Sequence, residues 1–398
     1  MSSSLLKEEM KEEDIVIVGA GIAGLATSLG LHRLGLRSLV LESSDSSRST
    51  GFALTLWTNA WRALDAVGIG DSLRQRSVQL RGGESEARCV ERKDLLGTLM
   101  EALPRDTVRY SSKVVSIQES GRFKLVHLSD GTILKTKVLI GCDGINSSVA
   151  NWLGLQKPVF AGRSAIRGLA EFPDGHGFEP KFSVYFGGGF RFGFIPCDAK
   201  GLYWFCTYTP SAFKYDEDME KSPVKMKQFV LNNIGKLPQE VSDVVEKTEL
   251  DSISCAQMKF RLPWNVLRGD IIRDNVCVAG DALHPMTPDL GQGGCSALED
   301  SVILARCLAK ALLTQPRAGP KEEEEEDEYR RIKRGLEEYG KDRRWRSFSL
   351  ISTGYIVGLI QESAGKLMSF LRDRWLSKYT PNTMLRMADF DCGKLVIS

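Results

Sequence analysis

The stretch Asp14-Ile-Val-Ile-Val-Gly-Ala-Gly-Ile-Ala-Gly24 decides how this chain is read. Ile15 to Val18 form a continuous β-branched run, which predicts a strand buried on both faces of a parallel sheet. Gly19, Gly21 and Gly24 follow at once. Leu25, Leu29, Leu31 and Leu34 then recur at helical spacing, and Gly35 stands where a helix C′ residue belongs. Ser38 to Leu41 reads as a second strand with Glu42 at its carboxyl end. The unit is strand, Gly-x-Gly-x-x-Gly turn, helix, strand, with an acid about twenty residues on, an arrangement that suits a dinucleotide.

Each part has a physical task. Gly19 permits the tight turn, Gly21 lets the amides of Ala20 and its neighbours approach a pyrophosphate, and Gly24 lets helix and strand pack closely. The helix N-terminus adds partial positive charge. Glu42 can accept hydrogen bonds from a ribose and disfavours a 2′-phosphate, which points to FAD or NAD and away from NADP as the bound nucleotide.

Two further sites separate FAD from NAD. Val138 to Gly141 is a short apolar strand leading to Asp143-Gly144, then Asn146, Ser147 and a helix holding Val149, Trp152 and Leu153. Asn275 to Ala279 leads to Gly280-Asp281-Ala-Leu-His284, followed by Pro288-Asp-Leu-Gly291-Gln292-Gly293-Gly294-Cys295. A helix is expected from near Ser296 through Leu308, with Glu299 and Asp300 in its first turn. Asp281 then ends a strand, placed to bond the ribityl chain of a flavin dinucleotide. The Gly291–Gly294 turn presents a second helix N-terminus to the pyrimidine edge of the flavin ring, where negative charge gathers on reduction.

Bulk properties exclude other classes. A chain of 398 residues holds a large core or two interleaved domains sharing one cleft. Its net charge of +2 gives no field directed at nucleic acid. The nine cysteines include no Cys-x-x-Cys pair, which suggests reduced thiols in an intracellular compartment. The four histidines show no metal-ligand spacing, so no zinc or non-haem iron site is expected. The segment Met1 to Glu13 is acidic, without an apolar core or the arginines of a transit peptide. Ser349 to Ile360 is apolar but too short for a bilayer span and reads as a buried helix; peripheral contact with a membrane stays open. The expected location is cytoplasmic, with a plastid as the alternative.

With those residues quoted, the chain resembles the single-component FAD-dependent monooxygenases of the aromatic hydroxylase type. Gly19–Gly24 with Glu42, Asp143-Gly144, and Gly280-Asp281 through Gly291–Gly294 look like that family's three fingerprints. Gly291-Gln-Gly-Gly-Cys295 with Ala297-Leu-Glu-Asp300 is most similar to the plant zeaxanthin-epoxidase-like and salicylate-hydroxylase-like branch, although many members have asparagine where this chain has Cys295. The resemblance implies a mixed α/β architecture: a Rossmann-type FAD-binding fold with a parallel sheet, an inserted antiparallel sheet for the substrate, and C-terminal helices. The expected boundaries are FAD-binding segments at 14–78, 93–157 and 263–314, a shortened substrate segment at 79–92, a substrate domain at 158–262, and a helical region at 315–398.

The resemblance also implies the chemistry. NAD(P)H is the co-substrate and reduces FAD; O2 then yields a flavin C4a-(hydro)peroxide that hydroxylates or epoxidises a small apolar, aromatic or isoprenoid substrate. Among cofactor contacts it implies Ser43, Val115, Arg48 on the substrate side of the flavin, and Arg92 near the diphosphate, where a guanidinium stays charged and binds bidentately. No catalytic side chain is named, since the flavin carries the reaction; Pro288 and His284 are candidates for shaping the site. Tyr203, Trp204 and Phe205 are either pocket lining or strand core.

The segment from Gln79 to Cys89 is shorter than in relatives, which keeps two alternatives alive: a reductase or dehydrogenase on the same scaffold, or a non-catalytic FAD-binding regulatory protein. Phe192-Gly-Phe194-Ile-Pro lacks the paired tryptophans of flavin halogenases. In the C-terminal region an acidic run at Glu322–Glu328 precedes Arg330, Arg331, Lys333, Arg334, Lys341, Arg343, Arg344 and Arg346, which reads as a solvated helix face laced by i,i+4 pairs.

Overall fold

Around Asp14–Gly24 the backbone follows the hydrophobic pattern. β1 (Met10–Val18) enters the glycine turn, α1 (Ile22–Arg33) leaves it, and β2 (Leu39–Leu41) returns parallel to β1 with Val16 opposite Leu39. The computed structural model describes residues 10–47, 52–81, 85–187, 189–212, 218–314, 320–362 and 385–396. After β2 come β3 (Ala53–Trp57), α2 (Thr58–Ala66), α3 (Gly70–Arg74), β4 (Ala87–Glu91), α4 (Arg92–Glu101), β5 (Val108–Arg109), β6 (Val114–Ser120), β7 (Phe123–Leu128) and β8 (Ile133–Gly141). α5 (Ser148–Trp152) then leads to β9 (Val159–Glu171), β10 (Ser183–Gly187), β11 (Phe190–Pro196), β12 (Gly201–Tyr208), α6 (Pro223–Ile234), α7 (Gln239–Glu246) and β13 (Ile253–Phe260). The chain closes with α8 (Pro263–Arg268), β14 (Ile272–Arg273), β15 (Val276–Val278), α9 (Gly293–Leu312) and α10 (Lys321–Glu362).

The larger sheet runs β14-β15-β8-β1-β2-β5, with β7 antiparallel on β8 and β6 on β7. β15, β8, β1, β2 and β5 are parallel, and Val276 of β15 sits opposite Leu139 of β8. Ile15, Ile17, Val138 and Ile140 are buried against α1 and α9 on one face, while Val16, Val18 and Leu139 face the other core. Both faces are covered, which is why these strands are apolar without alternation.

The second sheet is antiparallel, in the order β10-β11-β12-β9-β13. Here the period of two is plain. Ile166, Ala170, Phe192, Phe194 and Trp204 pack on Met226, Val230 and Ile234 of α6 and Val241, Val244 and Val245 of α7. The opposite row, with Arg167, Arg191, Tyr203, Phe205 and Thr207, faces a cavity toward the first sheet. Trp204 therefore belongs to the core, and Tyr203 and Phe205 are lining. The choice of face is set by Gly168, where a Cβ would stand 2.5 Å from the Trp204 ring, and by the Trp204 Nε1 bond to Thr248 Oγ1 at 2.8 Å.

Three features depart from sequence expectation. α9 starts at Gly293 instead of near Ser296, because Gly291 takes a left-handed conformation (φ +61°) and Gln292 becomes the cap. Arg343 and Arg346 are not on a solvated face: Arg343 is fully buried against Glu299 and Asp300, and Arg346 binds Glu299 at 2.7 Å. A charge run shows that a helix is polar but not which turns another helix covers. The acidic run does form the expected Arg331–Asp327 pair, and it also reaches the first sheet through Arg122–Glu325 and Lys137–Glu328. Within the described residues no helix is long and apolar enough to cross a membrane.

The short segment after α3 is stitched to the second sheet. The Val78 amide donates to Cys197 O at 3.2 Å and that of Arg81 to Pro180 O at 2.6 Å. β4 pairs with β3, Thr55 opposite Cys89, and the Sγ atoms of Cys89 and Cys197 lie 3.3 Å apart.

Candidate active site between the two sheets

The glycines of the first turn divide by what surrounds them. Gly19 has φ +103°, and a Cβ there would lie 2.5 Å from the Cys142 carbonyl oxygen. A Cβ on Gly24 would strike the Gly19 carbonyl. Gly21 differs: a Cβ there meets nothing within 4 Å. Protein packing does not require glycine at that position, and a side chain would fill the open space before the N-terminus of α1. Glu42 is fastened beside this cradle, accepting from the Ala20 amide at 3.0 Å, the Ser44 amide at 2.9 Å and the Ser43 hydroxyl at 3.2 Å. Burial pushes its carboxyl up, but the Ser44 and Ala20 amides outweigh this and hold it below its ordinary value. Ser43 thus bonds Glu42, and Val115 is 57% exposed on β6, just beyond Ser112, whose amide donates to Glu42 O at 2.7 Å. Arg48 lies outside the described residues.

Asp143 abuts the same turn, but its carboxylate is engaged. It accepts from the Ser148 amide at 2.6 Å and the Ser148 hydroxyl at 2.7 Å, and from the Ser147 hydroxyl, so it anchors the start of α5. Asp281 is the reverse case. It sits in a single 3-10 turn, Gly280–Ala282, beyond β15, and no hydrogen bond from the described residues reaches its carboxylate. Asp281 is exposed and lines the cavity between the sheets. Burial pushes the Asp281 carboxyl up, against the influence of His284 and Arg92. Arg92, first residue of α4, is pushed down by burial, while Asp281 draws it up and Arg167 pushes it further down. Arg92 and Asp281 are therefore within electrostatic reach of each other.

The turn before α9 is held from behind. Gln292 is buried and accepts from Asn59 Nδ2 at 2.8 Å, so its side chain points into the protein and only its backbone is available to a ligand. Cys295 donates to Thr55 O and to Gly291 O, each at 3.6 Å, and burial pushes its thiol up to about 12. A Cβ on Gly294 would lie 2.5 Å from Leu54, and one on Gly291 would lie 3.2 Å from Trp57 Nε1, a buried donor without a partner. His284 does not face the cavity. It is fully buried, 2.7 Å from Asp300 Oδ2 and 3.2 Å from Ser296 Oγ. Asp300 also takes the Gly280 amide at 2.7 Å, so this pair braces the Gly280–Asp281 turn.

Between the sheets lies a cavity of about 450 Å³. Its floor includes Asp281, Pro288, Gly291, Gly293 and Gly294, and its roof Arg167, Arg191, Tyr203 and Phe205. Ala53, Leu54, Trp57 and Leu80 form a side wall, so the short Gln79–Cys89 segment helps to close the cavity. Three observations fit a flavin dinucleotide: the open cradle at Gly21, the unbonded Asp281 carboxylate, and the orphan Trp57 donor at the second glycine turn.

Sequence comparison decides the family. A Monooxygenase 2 of Arabidopsis thaliana is 52% identical over 98% of this chain and 100% of its own length. The chain belongs to the FAD-dependent monooxygenases. Monooxygenase 1 of the same plant is 35% identical over 97% of this chain and 100% of its length. The FAD binding domain family matches residues 99–319, and the lycopene cyclase protein family matches 14–165. The crystal structure of Klebsiella pneumoniae HpxO complexed with FAD and uric acid shares the fold, with TM-score 0.77 at 22% identity over 96% of each chain.

This monooxygenase is a flavoprotein oxidoreductase with FAD as its cofactor. Several residues in and beside its cavity escaped sequence reasoning. Arg163 of β9 binds Asp289 with two bonds, at 3.0 and 2.6 Å, and Arg191 of β11 reaches the same carboxylate at 3.3 Å. All three residues are buried. Burial pushes the Asp289 carboxyl up, but Arg191 and Arg163 outweigh it and hold the carboxyl below its ordinary value. The only local signal was an arginine at each of positions 163, 167 and 191 within strands otherwise apolar and aromatic.

Proposed function

We propose that this monooxygenase uses NAD(P)H and O2 to insert one oxygen atom, by hydroxylation or epoxidation, into a small, largely apolar or aromatic molecule held in the cavity. The observation that carries this reading is the shared cavity, which sets Tyr203 and Phe205 over the floor of Asp281, Pro288 and Gly291–Gly294. The uric acid in HpxO supports a flat ligand of this size.

The roles follow from position. The amides from Gly19 to Gly24 and the N-terminus of α1 would hold the FAD diphosphate, with Arg92 adding positive charge. Glu42 would accept from the adenosine ribose, and Asp281 from the ribityl chain. When bound, FAD supplies the acceptor for a hydride and the centre at which O2 is activated. The N-terminal amides of α9 would offer partial positive charge to the flavin ring where negative charge gathers on reduction. Burial pushes the Tyr203 hydroxyl up to about 12, so it stays protonated and can donate to a substrate oxygen. Leu54, Trp57, Ile195 and Phe205 exclude water from the reacting face.

The test is NADH and NADPH oxidation by the FAD-loaded protein under air, with a panel of phenols, aryl acids and isoprenoids, and product mass after turnover in ¹⁸O2. The expected result is oxygen-dependent, ligand-stimulated oxidation and a product carrying one ¹⁸O. Equal turnover without oxygen would favour a reductase, and no turnover with any ligand a non-catalytic FAD-binding protein.

A further inference from the structure

We propose that Cys89 and Cys197 are a modification site, which hydrogen peroxide closes to a disulfide that ties the side wall of the cavity to the second sheet. Cys89 stands in β4 and Cys197 directly after β11, 108 positions apart in the chain. Their Sγ atoms lie 3.3 Å apart. Carbon atoms, which are smaller than sulfur, pack at about 3.5–4.0 Å. The contact is therefore a hydrogen bond between thiols and not plain packing. A disulfide bond is about 2.05 Å long, so the sulfurs need to approach by roughly 1.2 Å.

The oxidant has a route to the pair. Trp57, Leu80, Ile195 and Tyr203 line the cavity and share one small apolar cluster with the two cysteines. The pair thus sits directly behind the cavity lining, with 0% of Cys89 and 2% of Cys197 exposed. A molecule as small as peroxide passes between moving side chains where a bulky thiol reagent does not. Peroxide forms when reduced flavin meets O2 with no substrate to take the oxygen. That source rests on the proposed function; the pair itself does not.

Contact with Cys197 and burial push the Cys89 thiol up, and the Glu91 and Asp198 carboxylates add to this. Cys89 therefore keeps the shared proton, and Cys197 is the sulfur that attacks. Its attack on one peroxide oxygen breaks the O–O bond and leaves a sulfenic acid, while the Cys197 proton departs with the other oxygen as water. The Cys89 sulfur then attacks that of Cys197, the S–O bond breaks, and the hydroxide takes the Cys89 proton as a second water. Two thiols are oxidised to one disulfide, and peroxide is reduced to two waters. Burial keeps the reaction slow, so the link answers sustained peroxide and not a brief exposure.

The link joins two parts of the cavity. β4 pairs with β3, whose Ala53 and Trp57 form the side wall, and Cys197 leads into β12, whose Tyr203 and Phe205 form the roof. In the reduced protein the short segment is held to this sheet by the Val78 and Arg81 amides. Oxidation adds a covalent tie, and a dithiol reductant removes it.

The test treats reduced, FAD-loaded protein with hydrogen peroxide, blocks the remaining thiols in urea and maps the peptides by mass. The expected result is one Cys89–Cys197 linked pair, two hydrogens lighter than its parts and separable by dithiothreitol. The melting temperature rises with it, since a link across 108 positions constrains the unfolded chain. In Cys89→Ala peroxide no longer raises the melting temperature, and the Cys197 peptide gains oxygen instead. Cys197→Ala gives no link either. Peroxide is increased until Met258 and Met286, which line the same cavity, are oxidised. If both thiols can still be blocked at that point, or if the link forms only after unfolding in urea, the inference fails. It fails equally if either cysteine pairs with another in its place. Absence of oxygen-dependent turnover would overturn the proposed function and leave this result standing.

Discussion

Replacing Asp300 by asparagine tests the buried charge network behind the Gly280–Asp281 and Gly291–Gly294 turns. Asp300 is fully buried and satisfies three donors: the Gly280 amide at 2.7 Å, His284 Nε2 at 2.7 Å and Arg343 Nε at 2.6 Å. Asparagine keeps the shape but offers one acceptor oxygen, so its amide group must face at least one of those donors. It also removes a charge from Arg343, which is left with Glu299 at 2.8 Å, a carboxylate it already shares with Arg346. Breaking a buried ion pair at one end costs about 3–5 kcal/mol, and we expect that loss at pH 7. Burial pushes the Asp300 carboxyl up, but His284 and Arg343 outweigh it and hold the carboxyl below its ordinary value. Its stabilisation is therefore complete above the unfolded value of about 3.9 and is lost as pH falls through the folded value. The assay is urea unfolding of wild type and Asp300→Asn from pH 7 downward, with FAD affinity measured alongside because the Gly280 amide belongs to the Asp281 turn. The difference should shrink in acid. A loss below about 1 kcal/mol at pH 7, the size of an ordinary hydrogen bond, or one that does not change with pH, would refute the reasoning.

The glycines of the first turn should separate folding from binding. Gly21→Ala meets no protein atom within 4 Å and should melt like wild type yet bind FAD about tenfold or more weakly, ~1.4 kcal/mol. Gly24→Ala strikes the Gly19 carbonyl and should destabilise the cofactor-free protein itself by about 1–3 kcal/mol; identical behaviour in thermal melts and FAD titration would contradict both assignments. Asp281→Ala should weaken FAD binding by ~1.5–3 kcal/mol, a lost bond to a charged group, while the cofactor-free protein, relieved of a carboxylate that burial disfavours, is no less stable at pH 7. A variant that purifies with full FAD would show Asp281 to be misplaced. Contact with Cys197 and burial push the Cys89 thiol up, and both cysteines are buried, so a thiol reagent at pH 8 should label neither in the native protein and both in urea. Rapid native labelling of either, located by peptide mass, would count against the packing of β4 on the second sheet.

What was legible in the sequence is what depends on local backbone demands. Gly19, Gly24 and Gly291 answer requirements set within a few residues, by a turn, a close helix or a left-handed bend, and their spacing exposes the first βαβ unit and the second glycine turn. The three aromatic runs of the second sheet were legible for the same reason, since strand period and turn residues are local. The face each residue takes is not local. Trp204 turns inward because Gly168 makes room on the neighbouring strand, which leaves Tyr203 and Phe205 for the cavity. Arg163 and Asp289 lie 126 positions apart, and Arg343 meets Asp300 only because α10 lies along α9. The charges of Arg343 and Arg346 read as solvated because sequence shows the charge of a helix but not its partner.

The order of the larger sheet has a consequence for biosynthesis. β1, α1 and β2, with the Gly19–Gly24 turn between them, leave the ribosome before the second sheet, while β15 and the Gly291–Gly294 turn come after it. Until β15 is made, β8 offers an unpaired apolar edge at Leu139–Gly141. The two glycine turns are thus made at different moments of synthesis, and the nascent chain spends the interval with this edge of β8 uncovered.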